Sequence, residues 1–196
     1  MLTSPREYRD ALVELLPAQG DWSETDYLWL TDRSNHLIEL TDGLLEVLPM
    51  PTDEHQGILA FLWDEFKAAI GPHGVVRFAP LRLRLRTGKF REPDLLLLLD
   101  RADPRRENRY WHGADLVLEV VSPDEPERDL IVKRRDYAEA GIPEYWIVNP
   151  LDQTILVLTL DATTYAEHGH FGRGTTATST LLPGFGVAVD AVFDAA

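Results

Sequence analysis

The hydrophobic positions of this chain change period several times, and each change marks an element. Tyr8, Leu12, Leu15 and Leu16 share one helical face behind Ser4-Pro5-Arg6-Glu7, a capping box with proline at the first helical position. This predicts an opening helix to about Leu16. Pro17 to Gly20 end it, and Ser23-Glu24-Thr25-Asp26 predicts a second short helix carrying Tyr27, Leu28 and Leu30. His36 to Leu40 and Leu44 to Leu48 then flank Thr41-Asp42-Gly43, the signal of a β-hairpin. Helical spacing returns with Ile58, Leu59, Leu62, Phe66, Ala69 and Ile70, stopped by Gly71-Pro72. Strands are expected near 75–79, 81–86, 94–99 and 115–121, a second long helix over Pro126–Ala140, and further strands at Tyr145–Val148, Thr154–Leu160 and 185–189. Asp103 to Tyr110 is a polar connection with room for a helical turn, and 169–179 reads as a Gly/Thr-rich loop. The pattern is that of one α/β domain with an N-terminal helix and β-hairpin extension.

Composition narrows the class. The 196 residues contain no cysteine, which removes thiol nucleophiles, disulfides and cysteine zinc sites together. The longest apolar run, Leu95 to Leu99, is far short of the roughly 18 residues a membrane span needs, and no signal-like segment opens the chain. A cytoplasmic protein with no membrane partner is expected. The formal net charge of -14 argues against a coat protein held on nucleic acid by bulk charge. The charge is uneven, however. Residues 75–91 hold six basic and no acidic residues, and Leu81 to Arg86 alternates strictly. A strand there puts Arg82, Arg84 and Arg86 on one face, either as a solvated outer surface or as a stripe that tracks phosphates.

One carboxylate stands out. In Asp115-Leu-Val-Leu-Glu119-Val-Val121, Glu119 sits inside a run that otherwise asks to be buried. A buried carboxylate must be protonated, paired or bound to a cation, because leaving it unpaired costs several kcal/mol. Asp94 opens the neighbouring apolar strand, and two carboxylates on adjacent strands make a hard-oxygen site suited to Mg²⁺ or Mn²⁺. Each acid also has a plain structural reading, Asp94 at a turn and Glu119 paired with an arginine. Lys133 follows in the next helix, about 60° from Leu130 and about 40° from Tyr137, so it can face the sheet while Arg135 and Glu139 point outward. The Gly-x-Ser-x-Gly elbow of serine hydrolases is missing, and Gly172-Arg-Gly174 lacks the lysine of a phosphate-binding loop.

These residues carry a resemblance. Pro93-Asp94-Leu, Asp115 to Pro123, Arg128-Asp129 with Lys133, and Tyr137 to Pro150 together resemble the Uma family of restriction-endonuclease-like proteins, in the PD-(D/E)XK nuclease superfamily. Ile38 to Gly43, Glu54-His55-Gln56 and Leu182 to Phe185 resemble its terminal signatures, so the likeness runs from about residue 23 to the end. It implies a restriction-endonuclease-like core, a mixed central β-sheet flanked by helices, over 51–150. Residues 1–50 would be the extension and 151–196 C-terminal strands. It implies a Mg²⁺- or Mn²⁺-dependent endonuclease with DNA as substrate, the metal on Asp94, Glu119 and the Val120 carbonyl, and Lys133 as third catalytic residue. Val121 stands where the superfamily's usual lysine falls, and Lys133 takes that place as in the Uma family. Glu39 and His55 match positions auxiliary to the metal or merely structural, and Arg82, Arg84 and Arg86 would contact the nucleic acid. The alternative is an inactive binding module on the same fold. The hairpin and C-terminal strands make a homodimer the expected assembly.

Overall fold

The structure is a computed structural model describing residue 13 and residues 15–195. Most of the opening helix expected to Leu16 lies outside the described residues. Next comes the expected second helix, α1 (Glu24–Thr31), started by a capping box: the Ser23 side chain accepts from Asp26 N–H, and the Asp26 carboxylate takes Ser23 N–H. The hairpin β1 (Ile38–Thr41) and β2 (Leu44–Val47) turns on Asp42 and Gly43, whose φ angles are 48° and 85°. Two positive φ angles match the twist of the flanking strands, which explains the Asp-Gly pair. Gly43 has a second reason to be glycine, since a Cβ there would run into the Gly20 carbonyl.

The helix α2 (Asp53–Ile70) starts at Thr52, whose hydroxyl accepts His55 N–H at 3.2 Å and so fixes His55 in the first turn. Four more strands follow: β3 (Val75–Phe78), β4 (Leu83–Arg86), β5 (Lys89–Arg91) and β6 (Leu95–Leu98). The short β5 was not expected from the sequence, where Lys89-Phe-Arg91 looks like the tail of a loop. After β7 (Leu116–Val120) the chain makes a π-helical stretch, Arg128–Lys133, that runs into α3 (Arg134–Glu139). The expected regular helix over 126–140 is thus widened in its first half. Strands β8 (Glu144–Asn149), β9 (Thr154–Asp161), β10 (Thr164–Phe171), β11 (Thr176–Thr178) and β12 (Gly186–Ala188) precede a final α4 (Val189–Asp194). The supposed loop at 169–179 therefore holds the end of β10 and all of β11. Asp103 to Tyr110 contains turns and no helix.

The central sheet runs β10-β9-β8-β7-β6-β3 and is mixed, because β7 and β8 are parallel and the other neighbours antiparallel. Alternation explains the unbroken leucines of β6. Leu95 and Leu97 pack with Ile58, Leu62 and Phe66 of α2, whereas Leu96 and Leu98 pack on the other face with Leu83, Trp111 and Tyr137. A second sheet, β2-β1-β5-β4, carries the N-terminal hairpin. No helix among the described residues is long and apolar enough to cross a membrane.

The arginine stripe forms the expected alternation on β4, but it is not a bare face. Arg82 pairs with Asp32 at 2.8 Å, Arg84 with Glu24 at 3.0 Å and Arg86 with Asp42 at 2.7 Å. Acids of the N-terminal segment cover all three guanidinium groups, so the expected phosphate-tracking stripe is an ion-paired seam. Its physical reason is proximity: β4 lies in the same sheet as the acid-rich hairpin. Arg84 grips Glu24 with two nitrogens while Glu24 also accepts Gly88 N–H at 2.6 Å. Replacing Arg84 with glutamine should therefore cost about 0.5–1 kcal/mol of stability. A thermal melt beside the parent chain checks this, and an unchanged melting temperature would count against the seam.

Candidate active site

Asp94 lies immediately before β6, where the β3–β6 ladder ends with Ala79 N–H donating to the Asp94 carbonyl at 3.2 Å. Its Oδ2 accepts Val120 N–H at 2.8 Å and meets His55 Nε2 at 3.0 Å. Among the described residues Oδ1 has no hydrogen-bond partner. The side chains of Asp94 and His55 are each 16% exposed. Asp94 thus presents one held oxygen and one open oxygen to an adjoining pocket of about 410 Å³.

Glu119 reaches the same pocket from β7. On that strand Leu116, Leu118 and Val120 face α2, so alternation sends Glu119 to the opposite face, towards α3. There Tyr137 Oη donates to Oε1 at 2.5 Å and Lys133 Nζ lies 2.8 Å from Oε2. Lys133 also lies 3.0 Å from Asp129 Oδ1, one helical turn earlier, but the contact lacks hydrogen-bond alignment. The expected partner of Glu119 was an arginine, and the structure supplies this lysine. Asp129, Lys133 and Tyr137 recur every fourth residue, and the widened turn directs all three inwards. The spacing was visible in the sequence, but Asp129 and Tyr137 were not singled out there as partners of Lys133 and Glu119.

The charges balance unevenly. Burial would strip the proton from Lys133, but Glu119, Asp129, Glu39 and Asp94 outweigh it and hold the ammonium firmly charged. Burial pushes the Glu119 carboxyl up, Lys133 opposes this, and Asp94 and Asp129 add to the rise. For His55, burial favours the neutral ring, but the Asp94 hydrogen bond together with the Asp94 and Asp129 charges outweighs it and raises the imidazole pKa. Asp94, Glu119 and Asp129 share the Lys133 ammonium and the His55 ring, and the raised Glu119 carboxyl marks a floor short of positive charge.

That deficit and the donor chemistry both fit a divalent cation. The open Asp94 Oδ1 and the spare lone pairs of Glu119 are hard oxygen donors. Within a strand the N–H and C=O of one residue point to the same side, so the Val120 carbonyl is turned towards Asp94. No set of three or more His, Cys, Asp or Glu side chains among the described residues could enclose a metal alone. Two carboxylates, a carbonyl and solvent suit Mg²⁺, which keeps several waters when bound.

Glu39, expected as auxiliary to the metal or as structural, has the partners of a structural residue. It is fully buried, held by Arg91 at 3.1 Å, Arg128 at 2.6 Å and the Glu92 N–H at 3.0 Å. Arg91 continues to Asp136 at 2.6 Å, which Lys89 meets at 2.5 Å. This chain of buried charge ties the hairpin sheet to α3.

Residues 24–190 match the family model of Uma2, described as "Putative restriction endonuclease". The chain belongs to the Uma2 family. The matched range includes every residue of the pocket floor just described, with the lysine supplied by the helix after β7. A solved structure from Anabaena variabilis ATCC 29413, described as a "putative nuclease belonging to DUF820", superposes with a TM-score of 0.73 at 17% identity, covering 89% of this chain and 98% of that one. At that identity the likeness establishes the shared fold, a mixed α/β nuclease fold. No curated protein matches this Uma2 chain.

Burial alone would raise the Glu39 carboxyl, but Lys133, Arg91 and Arg128 reverse this and hold it at about 2, against an ordinary 4.5. A depressed carboxyl contributes stability that is present above its unfolded pKa and lost as pH falls through its folded one. The Glu39 contribution is therefore complete above pH 4.5 and disappears towards pH 2. Glu39→Gln should cost about 1.5–3 kcal/mol at pH 7, because Arg91 keeps Asp136 and Arg128 keeps Glu46 but both lose a buried charged partner, and less near pH 3. Urea unfolding at both pH values measures the gap; equal penalties would disprove the linkage.

Proposed function

We propose that the chain is a divalent-metal-dependent nuclease that hydrolyses phosphodiester bonds within DNA. The observation that carries this reading is the convergence of Asp94, Glu119 and Lys133 on one pocket. Family membership supports the reaction class, and the pocket's charge deficit supports the metal. Asp94 Oδ1, Glu119 and the Val120 carbonyl are the donors that would hold Mg²⁺ or Mn²⁺. When bound, the ion supplies Lewis-acid polarisation of the phosphoryl group and a more acidic water.

The remaining work falls to the chain's own groups. His55 and Val120 N–H fix one oxygen of Asp94, which leaves the carboxylate no freedom to turn away from the pocket. Tyr137 fixes Glu119 in the same manner. Lys133 brings a permanent positive charge to a dry floor, where it orients the attacking water or steadies negative charge building on the phosphate. Asp129 shares that ammonium, so Lys133 has a resting partner when Glu119 turns to the cation.

Asp94→Asn and Glu119→Gln should each abolish Mn²⁺ binding in calorimetry and cleavage of plasmid DNA, and should leave a folded chain. Lys133→Met should keep Mn²⁺ affinity and lower turnover by about 100-fold or more. Unchanged affinity in both acid variants would sink the metal site. Unchanged turnover in Lys133→Met would return that lysine to a structural ion pair. DNA binding without cleavage in any divalent ion would favour an inactive binding module on the nuclease fold.

A further inference from the structure

The basic island of residues 75–91 supplies six cations, and five of them are consumed by carboxylates. Arg82, Arg84 and Arg86 meet Asp32, Glu24 and Asp42; Lys89 and Arg91 meet Asp136 and Glu39. Arg77 is the sixth, and among the described residues it has no acidic partner. One of its nitrogens donates to the Val76 carbonyl at 2.8 Å, which holds the side chain without neutralising it. Two further arginines gather beside it. Arg106 donates to the Arg101 carbonyl at 3.1 Å, and Arg101 N–H bonds the His73 carbonyl just before β3. Neither has an acidic partner among the described residues.

The acids of residues 100–115 are engaged otherwise. Asp103 and Asp115 both grip Arg105 at 2.6 Å, Asp100 accepts Ala102 N–H, and Glu107 takes His112. The bonds of Arg106 to Arg101 and of Arg101 to His73 put both residues at the start of β3, and after partial burial it is their repulsion that depresses the Arg77 guanidinium. In a chain of net charge -14, three exposed arginines without an acidic partner make a local positive patch that attracts anions.

Position says which anion. β3 is the edge strand of the central sheet, so among the described residues no further strand pairs beyond it. Its ladder ends at the Asp94 carbonyl, two residues past Arg77, and the intervening Phe78 lines the pocket. We infer that Arg77, Arg101 and Arg106 form a phosphate track along β3, which carries the backbone of a nucleic-acid strand up to the Asp94–Glu119 pocket. This rests on the nuclease reading and names the path its substrate takes. From Arg101 at the His73 end to the pocket, the track spans the length of β3, roughly 13 Å for four residues.

Binding of a fluorescent 30-base-pair duplex in EDTA, read at several salt concentrations, tests the track with no cleavage in play. Arg77→Gln, Arg101→Gln and Arg106→Gln should each flatten the slope of log affinity against log salt by up to about 0.9, with affinity falling on the order of tenfold per contact at 0.1 M salt. The corresponding lysine variants should keep most of the slope, and Arg135→Gln, an equal charge change on the outer face of α3, should leave it alone. Melting temperatures should not move. An unchanged slope in all three glutamine variants, or an equal loss in Arg135→Gln, overturns the track, as does a parent chain that binds no duplex at low salt. Plasmid cleavage by the parent in Mg²⁺ is scored separately. Cleavage with an unaltered slope refutes the track and leaves the nuclease reading standing, whereas salt-dependent binding through these arginines without cleavage does the reverse.

Discussion

A carboxylate taken out of water must recover its lost hydration from cations and donors, and Glu119 imposes that requirement at the centre of the molecule. At 2% exposure in the middle of β7, it leaves several kcal/mol to be offset by its surroundings. Tyr137, Lys133 and the Asp94 backbone all converge on it, and their arrangement dictates how the segment after β7 must run. The π-helical turn follows from this demand. An i→i+5 step widens the helix where Asp129 and Lys133 must both reach inwards, and such turns are frequent at functional sites.

The second charge network gives the hairpin its purpose. Glu39 on β1, Arg91 on β5, and Arg128 and Asp136 around the widened helix form a buried chain that joins the small sheet to the central one. Its geometry leaves Glu39 no oxygen turned to the pocket, yet Arg128 lies on the pocket wall and holds Glu39 from there. The hairpin thus acts on the site at one remove, by fixing the wall. Neutralisation by acids of its own chain also explains how a basic island can coexist with a strongly negative molecule. Of the island's six cations, only Arg77, on the edge strand that ends at the pocket, has no acidic partner among the described residues.

Much was legible in the sequence because the relevant forces are local. The helix start at Ser23, the Asp-Gly turn and the Gly71 stop are decided within four or five residues, and each is found as expected. The buried runs of β6 and β7 announced a sheet covered on both faces. Glu119 declared itself for the same reason, as one charge where burial was required, and Lys133 followed from its angle relative to Leu130 and Tyr137. The short β5 and β11 and the largely exposed β10 were missed, since neither three residues nor a polar edge strand carries a usable period. Their pairing comes from the strands beside them.

Partners of charged groups were beyond the sequence altogether. Alternation put Arg82, Arg84 and Arg86 on one face, but whether that face meets water, phosphate or acid depends on residues 40 to 60 positions away. Glu39 has the same history, as a plausible neighbour of a metal until the fold set two arginines against it. Sequence by itself determined which residues would be buried and at what period, because hydrophobic burial is non-directional and written into spacing. Only the tertiary structure decided which charge neutralises which, because ion pairing acts over a few ångströms between groups that the chain brings together last.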